Sequence, residues 1–444
     1  MADKLLVRAY NVEVGDCLYC RIPKARKVGN TVDDFHILID CGSLGGTAHL
    51  QAALENLEEE LPPAGGGKKR LDLVVVTHEH KDHIAGFDPD FFSNIKIENI
   101  WMNTAMDPAH PQAELTFRLH GLATTAMRNV AALNLSLSPE LQELVALFGI
   151  DNEGAMEALR ETLPEQNGIS PKYVHAGMTQ AELGLPLVGA KIQVLGPERD
   201  IDHFYLGEEA DEDLQNLLAT GAMFRKDAPA PAQFPANISQ SDFRRLQSRM
   251  MSSAFAFAEL SSKVTNNTSV VLLVEWKGKR LLFVGDAEWN AKFKEGKANG
   301  AWNVMWQKRK AKLNAPIDFL KIGHHGSENS TPWNDLEDGT VTEPSTILDA
   351  ILPLPAAGGE PAAKAVVSTK RKNYETIPRS ALLVEIGKRV ENVRNYQQAL
   401  GTNASQLPKF TEFEKQWLTS PQPVRTDCEK ALSDAGFVDV EIEG

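Results

Sequence analysis

Short apolar runs recur along the chain, and three of them break off into side chains that bind metals. Leu71-Asp72-Leu73-Val74-Val75-Val76-Thr77 leads into His78-Glu79-His80-Lys81-Asp82-His83. Leu281-Leu282-Phe283-Val284 leads into Gly285-Asp286-Ala287-Glu288, and Asp318-Phe319-Leu320-Lys321-Ile322 into Gly323-His324-His325-Gly326-Ser327. An apolar run bounded by turn formers reads as a buried strand. Ile37-Leu38-Ile39, Ile97 to Asn103, Ala190 to Pro197 and Val366-Val367-Ser368 read the same way, and Met1 to Arg8 reads as a charged opening strand.

Between about Ala105 and Ser262 the spacing changes. Leu115, Leu119, Leu122 and Ala126 fall near one face of a helix. Ser138-Pro139-Glu140 opens another, with a capping hydroxyl, a proline at the first helical position and an acidic first turn. Phe243 to Leu260 reads as a longer helix, in which Met250, Met251, Phe255 and Phe257 suit core packing. The predicted organisation is therefore an α/β catalytic core over 1–104 and 263–444. Residues 105–262 form a mostly helical insertion, interrupted by a core-like strand near 190–197.

The histidine-rich turn carries the most specific chemistry. Imidazole nitrogen and carboxylate oxygen are the ligand set of zinc and similar divalent ions. His78 and His80 lie two apart, so on an extended segment they project to one side, and Asp82 and His83 follow where the chain leaves the strand. One loop can thus offer two ligands to each of two neighbouring ions. The segment is not a HExxH helix, because Asp82 stands where that motif needs its second histidine. Asp286 has two oxygens and could bridge two ions. Asp40 and Thr77 could orient ligand histidines, or serve purely structural hydrogen bonds.

Composition narrows the field. The chain has 444 residues, 42% hydrophobic and 24% charged, as expected of a globular protein with room for a large core. No apolar run is long enough for a transmembrane helix, and the opening does not read as a signal peptide. Cys17 and Cys20 form a CxxC, but on a strand they face opposite sides, and Cys41 and Cys428 have no partner signature. A reducing cytoplasm is the simplest setting. The net charge of −14 argues against broad nonspecific nucleic-acid binding. Bound divalent ions would change the local sign, and three basic clusters stand out: Lys68-Lys69-Arg70, Lys308 to Lys312, and Lys370-Arg371-Lys372. Of the isolated histidines, His203 is the best placed to approach the site.

These motifs resemble those of metallo-β-lactamase-fold hydrolases, and most closely the nuclease domain of ComEC-type competence proteins and its free-standing soluble relatives. The resemblance rests on Val12-Glu13-Val14-Gly15-Asp16, Ile37 to Gly42, Thr77 to Gly86, Asn266-Asn267-Thr268-Ser269, Leu282 to Ala287, Leu320 to Ser330, and Val366-Val367-Ser368. It implies a four-layer αββα sandwich and two divalent metal ions, zinc first and manganese second. The implied ligands are His78, His80, Asp82, His83, Asp286 and His325, with Asp82 and His324 as catalytic groups. Two departures matter. Asn266-Asn267 stand where many relatives carry a histidine, which leaves the ion held by His78 and His80 one nitrogen short. Ile377 occupies a position that is often histidine in relatives. Asn266, Asn267 and Lys370 are candidates for contact with the metal or substrate.

The resemblance implies a metal-dependent hydrolase, a phosphodiesterase or nuclease acting through a two-metal activated hydroxide. Nucleic acid or another phosphodiester would be its partner, with no membrane involved. A hydrolase of a small ester, amide or nucleotide is the alternative. A non-catalytic binding module on the same fold is the third reading.

Overall fold

The computed structural model describes residues 3–132, 137–148, 152–206, 254–256, 258–291, 299–333, 340–357, 359–369, 377–391, 424–425 and 436–444. Its first half contributes β1 (Lys4–Tyr10), β2 (Cys17–Val28), β3 (Thr31–Cys41), β4 (Pro63–Gly65), β5 (Lys68–Leu71), β6 (Leu73–Val76), β7 (Ile95–Ile97), β8 (Ile100–Asn103) and β9 (Lys172–Val174). The rest contributes β10 (Ala190–Gly196), β11 (Val271–Trp276), β12 (Lys279–Phe283), β13 (Phe319–Lys321), β14 (Lys364–Val367), β15 (Val424–Arg425) and β16 (Phe437–Glu443).

Among the described residues these strands form two large sheets and a small one. Seven strands run in the order β16-β1-β2-β3-β6-β8-β9, six in the order β10-β11-β12-β13-β14-β15, and three in the order β4-β5-β7. The strand at Ala190–Gly196 is the edge of the second large sheet, paired antiparallel to β11.

Three apolar layers follow from the alternation of side chains along each strand. Leu73 and Val75 point into a core between the two large sheets, where Ile37 and Trp101 meet Leu272, Phe283 and Val366. Val74 and Val76 point the other way, onto Leu50, Leu54 and Leu57 of helix Ala48–Glu60. On the far side, Leu273, Leu282 and Val284 pack against Trp302 and Met305 of helix Ala301–Leu313 and Ile347 and Ile351 of helix Glu343–Ile351. Helix, sheet, sheet and helix are thus stacked in four layers. A strand with a core on each face must be apolar throughout, which is why Leu73–Val76 shows no polar alternation. Cys17 and Cys20 obey the same alternation: Cys17 lies in the outer core and Cys20 in the inter-sheet core.

Within 105–262, helix Ala113–Ala132 packs Ala123, Ala126 and Met127 against Leu144 and Phe148. Leu119 packs with Ile201 and Val264. Ser138 caps helix Pro139–Leu147, its hydroxyl accepting from the Leu141 N–H. Much of the helix expected over Phe243 to Leu260, with Met250, Met251 and Phe257, lies outside the described residues, although 258–267 is helical. The single strand expected over Ile97 to Asn103 is instead two. Glu98 N–H donates to Leu71 O and Asn99 Nδ2 to Asp72 O, so the chain steps from the small sheet to the large one between β7 and β8.

The position of the functional site is set by direction. β3, β6, β8 and β9 run parallel in one sheet, and β12 to β15 run parallel in the other. Ligand-bearing loops in such sheets gather at the carboxyl ends of the strands. Beneath that edge a buried ion pair joins the two sheets. Lys321 Nζ of β13 donates to Asp16 Oδ2 at 2.7 Å, and the Asp16 N–H donates to Asp82 O at 2.9 Å. Gly42 is required at the same place, because a Cβ there would lie 2.2 Å from the Asp82 carbonyl carbon and the His83 nitrogen.

Two outcomes are expected. Lys321→Met leaves Asp16 buried without its counter-charge and should cost about 3–5 kcal/mol, read from urea unfolding. Adding Asp16→Asn should recover part of that loss. Gly42→Ala should cost about 1–3 kcal/mol through overpacking and weaken metal binding, because the displaced backbone is that of the ligand loop.

Candidate metal centre

Each ligand-type side chain sits where a strand ends. β6 delivers His78, and the turn His80 to Ala85 folds Asp82 and His83 back under it; His83 N–H and Ile84 N–H both donate to His80 O. β12 delivers Asp286 after Gly285, whose φ of +53° places it in the left-handed region. A Cβ at Gly285 would fall 2.9 Å from Ser269 and 3.0 Å from Thr77, so glycine keeps the loops in contact. β13 delivers His324 and His325, both with positive φ, +43° and +52°.

Asp82, His83, Asp286 and His325 converge, with one ligand atom from each all within 4.8 Å of one another and every residue buried. His325 Nε2 lies 2.8 Å from Asp82 Oδ2, and His83 Nε2 lies 3.3 Å from Asp286 Oδ1. The other Asp286 oxygen faces His78 Nε2 at 3.7 Å. His78 Nε2 in turn lies 3.1 Å from His80 Nδ1. Asp286 therefore faces His83 with one oxygen and His78 with the other, linking the cluster to the His78–His80 pair.

The supports behind these ligands are equally specific. Asp40, at the end of β3, accepts from the Thr77 N–H and the Thr77 hydroxyl, both at 2.7 Å, and lies 2.8 Å from His83 Nδ1. The Thr77 carbonyl accepts from Asn103 Nδ2 at 2.9 Å. Ser269 Oγ lies 3.2 Å from His78 Nδ1 and accepts from the Asp286 N–H at 3.1 Å. His325 Nδ1 lies 2.9 Å from the Ser368 carbonyl. The contacts to His83, His78 and His325 each fix the Nδ1 of the ring and leave Nε2 for the centre.

The electrostatics call for positive charge at this point. Burial pushes the His78 and His80 imidazoles down, His80 to about 3, which favours the neutral, ligating form. Burial also works against charge on His83, but Asp286, Asp82 and Asp40 outweigh it and raise His83 well above the usual range. Burial likewise opposes ionisation of Asp82 and Asp286, yet the neighbouring imidazoles, His83 foremost, hold both below the usual carboxylate range. His80 Nε2, Asp82 Oδ1, His83 Nε2 and Asp286 Oδ2 are buried without a hydrogen-bond partner. Unpartnered buried polar atoms are costly, and here they belong to the donor types a divalent ion requires. The residues fit a metal.

Not every candidate joins this cluster. His324 falls outside the cluster, with Nε2 3.9 Å from Asp286 Oδ2. Asn266 and Asn267 turn toward Glu288: Asn266 Nδ2 donates to Glu288 Oε1 at 2.8 Å, and Asn267 Nδ2 lies 3.5 Å from Glu288 Oε2. Burial raises the Glu288 carboxyl above its usual range, opposed by His324 and the Asn266 amide. Lys370 lies outside the described residues. His203 is exposed, whereas His120 comes within 3.6 Å of Glu79 in the ligand loop and stacks at 5.3 Å on Phe148, which also lies 6.0 Å from His80. The sequence pattern does not assign Glu288, Ser269 or His120 to the site. The one local signal for Glu288 is its place two residues beyond Asp286, at the same strand end.

Residues 31–119, which include the histidine-rich turn, match the family model described as the metallo-beta-lactamase superfamily. A 61-residue stretch is 34% identical to ribonuclease Z from Bradyrhizobium sp. (strain ORS 278), covering 14% of this chain and 16% of that enzyme. A crystal structure of the metallo-beta-lactamase fold protein YhfI from Bacillus subtilis aligns over 84% of this chain and 93% of its own, at 12% identity and a TM-score of 0.30. The fold is the mixed α/β fold of the metallo-β-lactamase superfamily.

Replacing Asp40 with Asn removes the charge behind His83 while keeping an oxygen for Thr77. It should weaken metal binding by about 10–100-fold, measured by competition with a chromophoric chelator.

Proposed function

We propose that the protein is a metal-dependent hydrolase of phosphodiesters that works with two divalent ions, zinc foremost and manganese second. The observation that carries this reading is the buried Asp82–His83–Asp286–His325 cluster, with its unpartnered Asp82 Oδ1, His83 Nε2 and Asp286 Oδ2. These four residues would hold one ion. His78 and His80 would hold the second, with Asp286 shared between the two. When bound, such ions supply Lewis-acid polarisation of the scissile group and a lowered pKa for water.

The chain's own residues do the remaining work. Asp40 and Thr77 hold His83 in one orientation, and Ser269 holds His78. His324 is the one imidazole of the group with a side chain open to solvent, at 17% exposure against 0–1% for His78, His83 and His325, so it is placed to meet a substrate oxygen.

Phosphodiester as the substrate class is supported by the ribonuclease Z match, since a ribonuclease acts on RNA, and by the resemblance to ComEC-type nuclease domains. That match covers 16% of the enzyme. Lys308, Lys310 and Lys312 are exposed on helix Ala301–Leu313 and would add positive charge for a phosphate-bearing substrate, while Lys308 and Lys310 also lie over the rings of Phe204 and Trp306 at 5.3 and 4.9 Å. No helix of the described residues is long and apolar enough to cross a membrane. A cytoplasmic setting and a nucleic-acid partner complete the proposal. A small ester, amide or nucleotide is the second reading. It is favoured by Phe148 and His120, which bring the 105–262 segment against the ligand loop and narrow the approach to His80.

The test is hydrolysis by purified protein loaded with zinc or manganese, against single-stranded DNA, duplex DNA, RNA, bis(p-nitrophenyl) phosphate and p-nitrophenyl acetate. Cleavage of a phosphodiester that stops with chelator and returns with metal is expected. Asp286→Ala should lower kcat/KM by about a thousandfold or more. Turnover of the acetate ester alone would reject the phosphodiester reading. A wild-type protein that binds no metal and hydrolyses nothing would reject both.

A further inference from the structure

Glu288 has no place among the metal ligands, yet it is buried beside the site and held from several directions. Asn266 Nδ2 donates to its Oε1 at 2.8 Å. Asn267 Nδ2 lies 3.5 Å from Oε2, and Asn267 Oδ1 accepts from the Glu288 N–H at 3.3 Å. Asn267 is itself pinned, accepting from the Ala301 N–H at 2.7 Å and donating to the Lys263 carbonyl at 2.8 Å. The two asparagines close helix 258–267 just ahead of β11, so a carboxylate after β12 is clamped by the element that precedes the neighbouring strand.

The clamped carboxylate faces His324. Glu288 Oε1 lies 3.8 Å from His324 Nδ1, an atom that is buried and has no hydrogen-bond partner. Closing to hydrogen-bond range of about 2.7–3.2 Å takes a shift of about 0.6–1.1 Å. The His324 backbone is fixed as well: its φ is +43°, and its N–H donates to Asp286 Oδ1 at 3.1 Å. A non-glycine residue held in that region is over-determined by its surroundings. With Nδ1 turned to Glu288, Nε2 points to the Asp286 side of the site, 3.9 Å from Oδ2.

We infer that Glu288, clamped by Asn266 and Asn267, is the positioning residue for His324: as the acceptor for Nδ1–H it fixes the ring so that Nε2 is turned to the reacting group of the bound phosphodiester. This gives the asparagine amide nitrogens a role of their own, as a support for the substrate-facing imidazole, while Asn266 Oδ1 is buried without a hydrogen-bond partner. The inference rests on the hydrolase reading for its consequence, but its geometry can be read without turnover.

The experiment compares wild type, Glu288→Ala, Glu288→Gln and Asn266→Ala, alone and in a His324→Ala background, all zinc-loaded and checked for metal content. With bis(p-nitrophenyl) phosphate, Glu288→Ala and Asn266→Ala should each lower kcat by about tenfold or more, with KM within about threefold and bound metal unchanged. Glu288→Gln, which keeps an oxygen for Nδ1, should retain more activity than Glu288→Ala. In the His324→Ala background the Glu288 substitution should cost almost nothing further.

A second readout needs no activity. Long-range proton–nitrogen spectra of histidine-labelled protein should show His324 protonated at Nδ1 in wild type, and Glu288→Ala should change that signal. An unchanged His324 signal together with unchanged kcat would overturn the inference. So would an equal loss in the His324→Ala background, or a loss explained by missing metal. If wild type hydrolyses no phosphodiester, the functional reading fails, and the His324 spectra still decide the role of Glu288.

Discussion

The structure depends on the cost of burying polar atoms that the protein itself leaves unpaired. Asp82 Oδ1, His83 Nε2 and Asp286 Oδ2 sit under the surface with no hydrogen-bond partner. The imidazoles and carboxylates of the cluster offset part of each other's charge, with His325 Nε2 2.8 Å from Asp82 Oδ2. A divalent ion bound among them would satisfy the atoms left over. The rest of the fold can be understood as the scaffold that brings these atoms together and keeps water and conformational freedom away from them.

That scaffold comes from two sheets, and neither holds a complete set. Asp82 and His83 follow β6 of one sheet, while Asp286 and His325 follow β12 and β13 of the other. The centre is therefore a seam, and its geometry is only as good as the registration of the two halves. The apolar layer between the sheets supplies most of the adhesion but little direction, since hydrophobic burial is non-directional. Direction comes from the Lys321–Asp16 ion pair and from Ser269, whose hydroxyl meets His78 of one half and the Asp286 backbone of the other. The glycines at 42 and 285 keep the facing backbones close enough for these contacts.

Much of this was legible in the chain because it depends on local order. Each of the three ligand groups is contiguous and directly follows an apolar run, so the strands and their functional ends could be read together. The Ser138 cap and the core-like strand near 190–197 were equally local. What could not be read depends on pairing between distant segments. The Lys321–Asp16 contact spans 305 positions, and Lys321 alone looks like an ordinary charge within a strand. Asn266 and Asn267 were weighed as possible metal or substrate contacts. In the structure their amides serve Glu288, a choice that depends on how β11 and β12 lie side by side. His120 shows the same limit: it was one isolated histidine among several, and it approaches the ligand loop only through the packing of helix Ala113–Ala132 on Phe148. The strand at Ile97 to Asn103 was read as continuous because its apolar pattern is continuous. Its division follows from hydrogen bonds to Leu71 and Asp72, which no local pattern encodes.

The central claim is that Asp82, His83, Asp286 and His325 together hold a divalent ion across the seam of the two sheets. Anomalous diffraction at the zinc edge from crystals grown with zinc tests it most directly. The account predicts a peak within bonding distance, about 2.0–2.2 Å, of Asp82, His83, Asp286 and His325. No peak there, or a zinc ion bound only at surface residues, would contradict it.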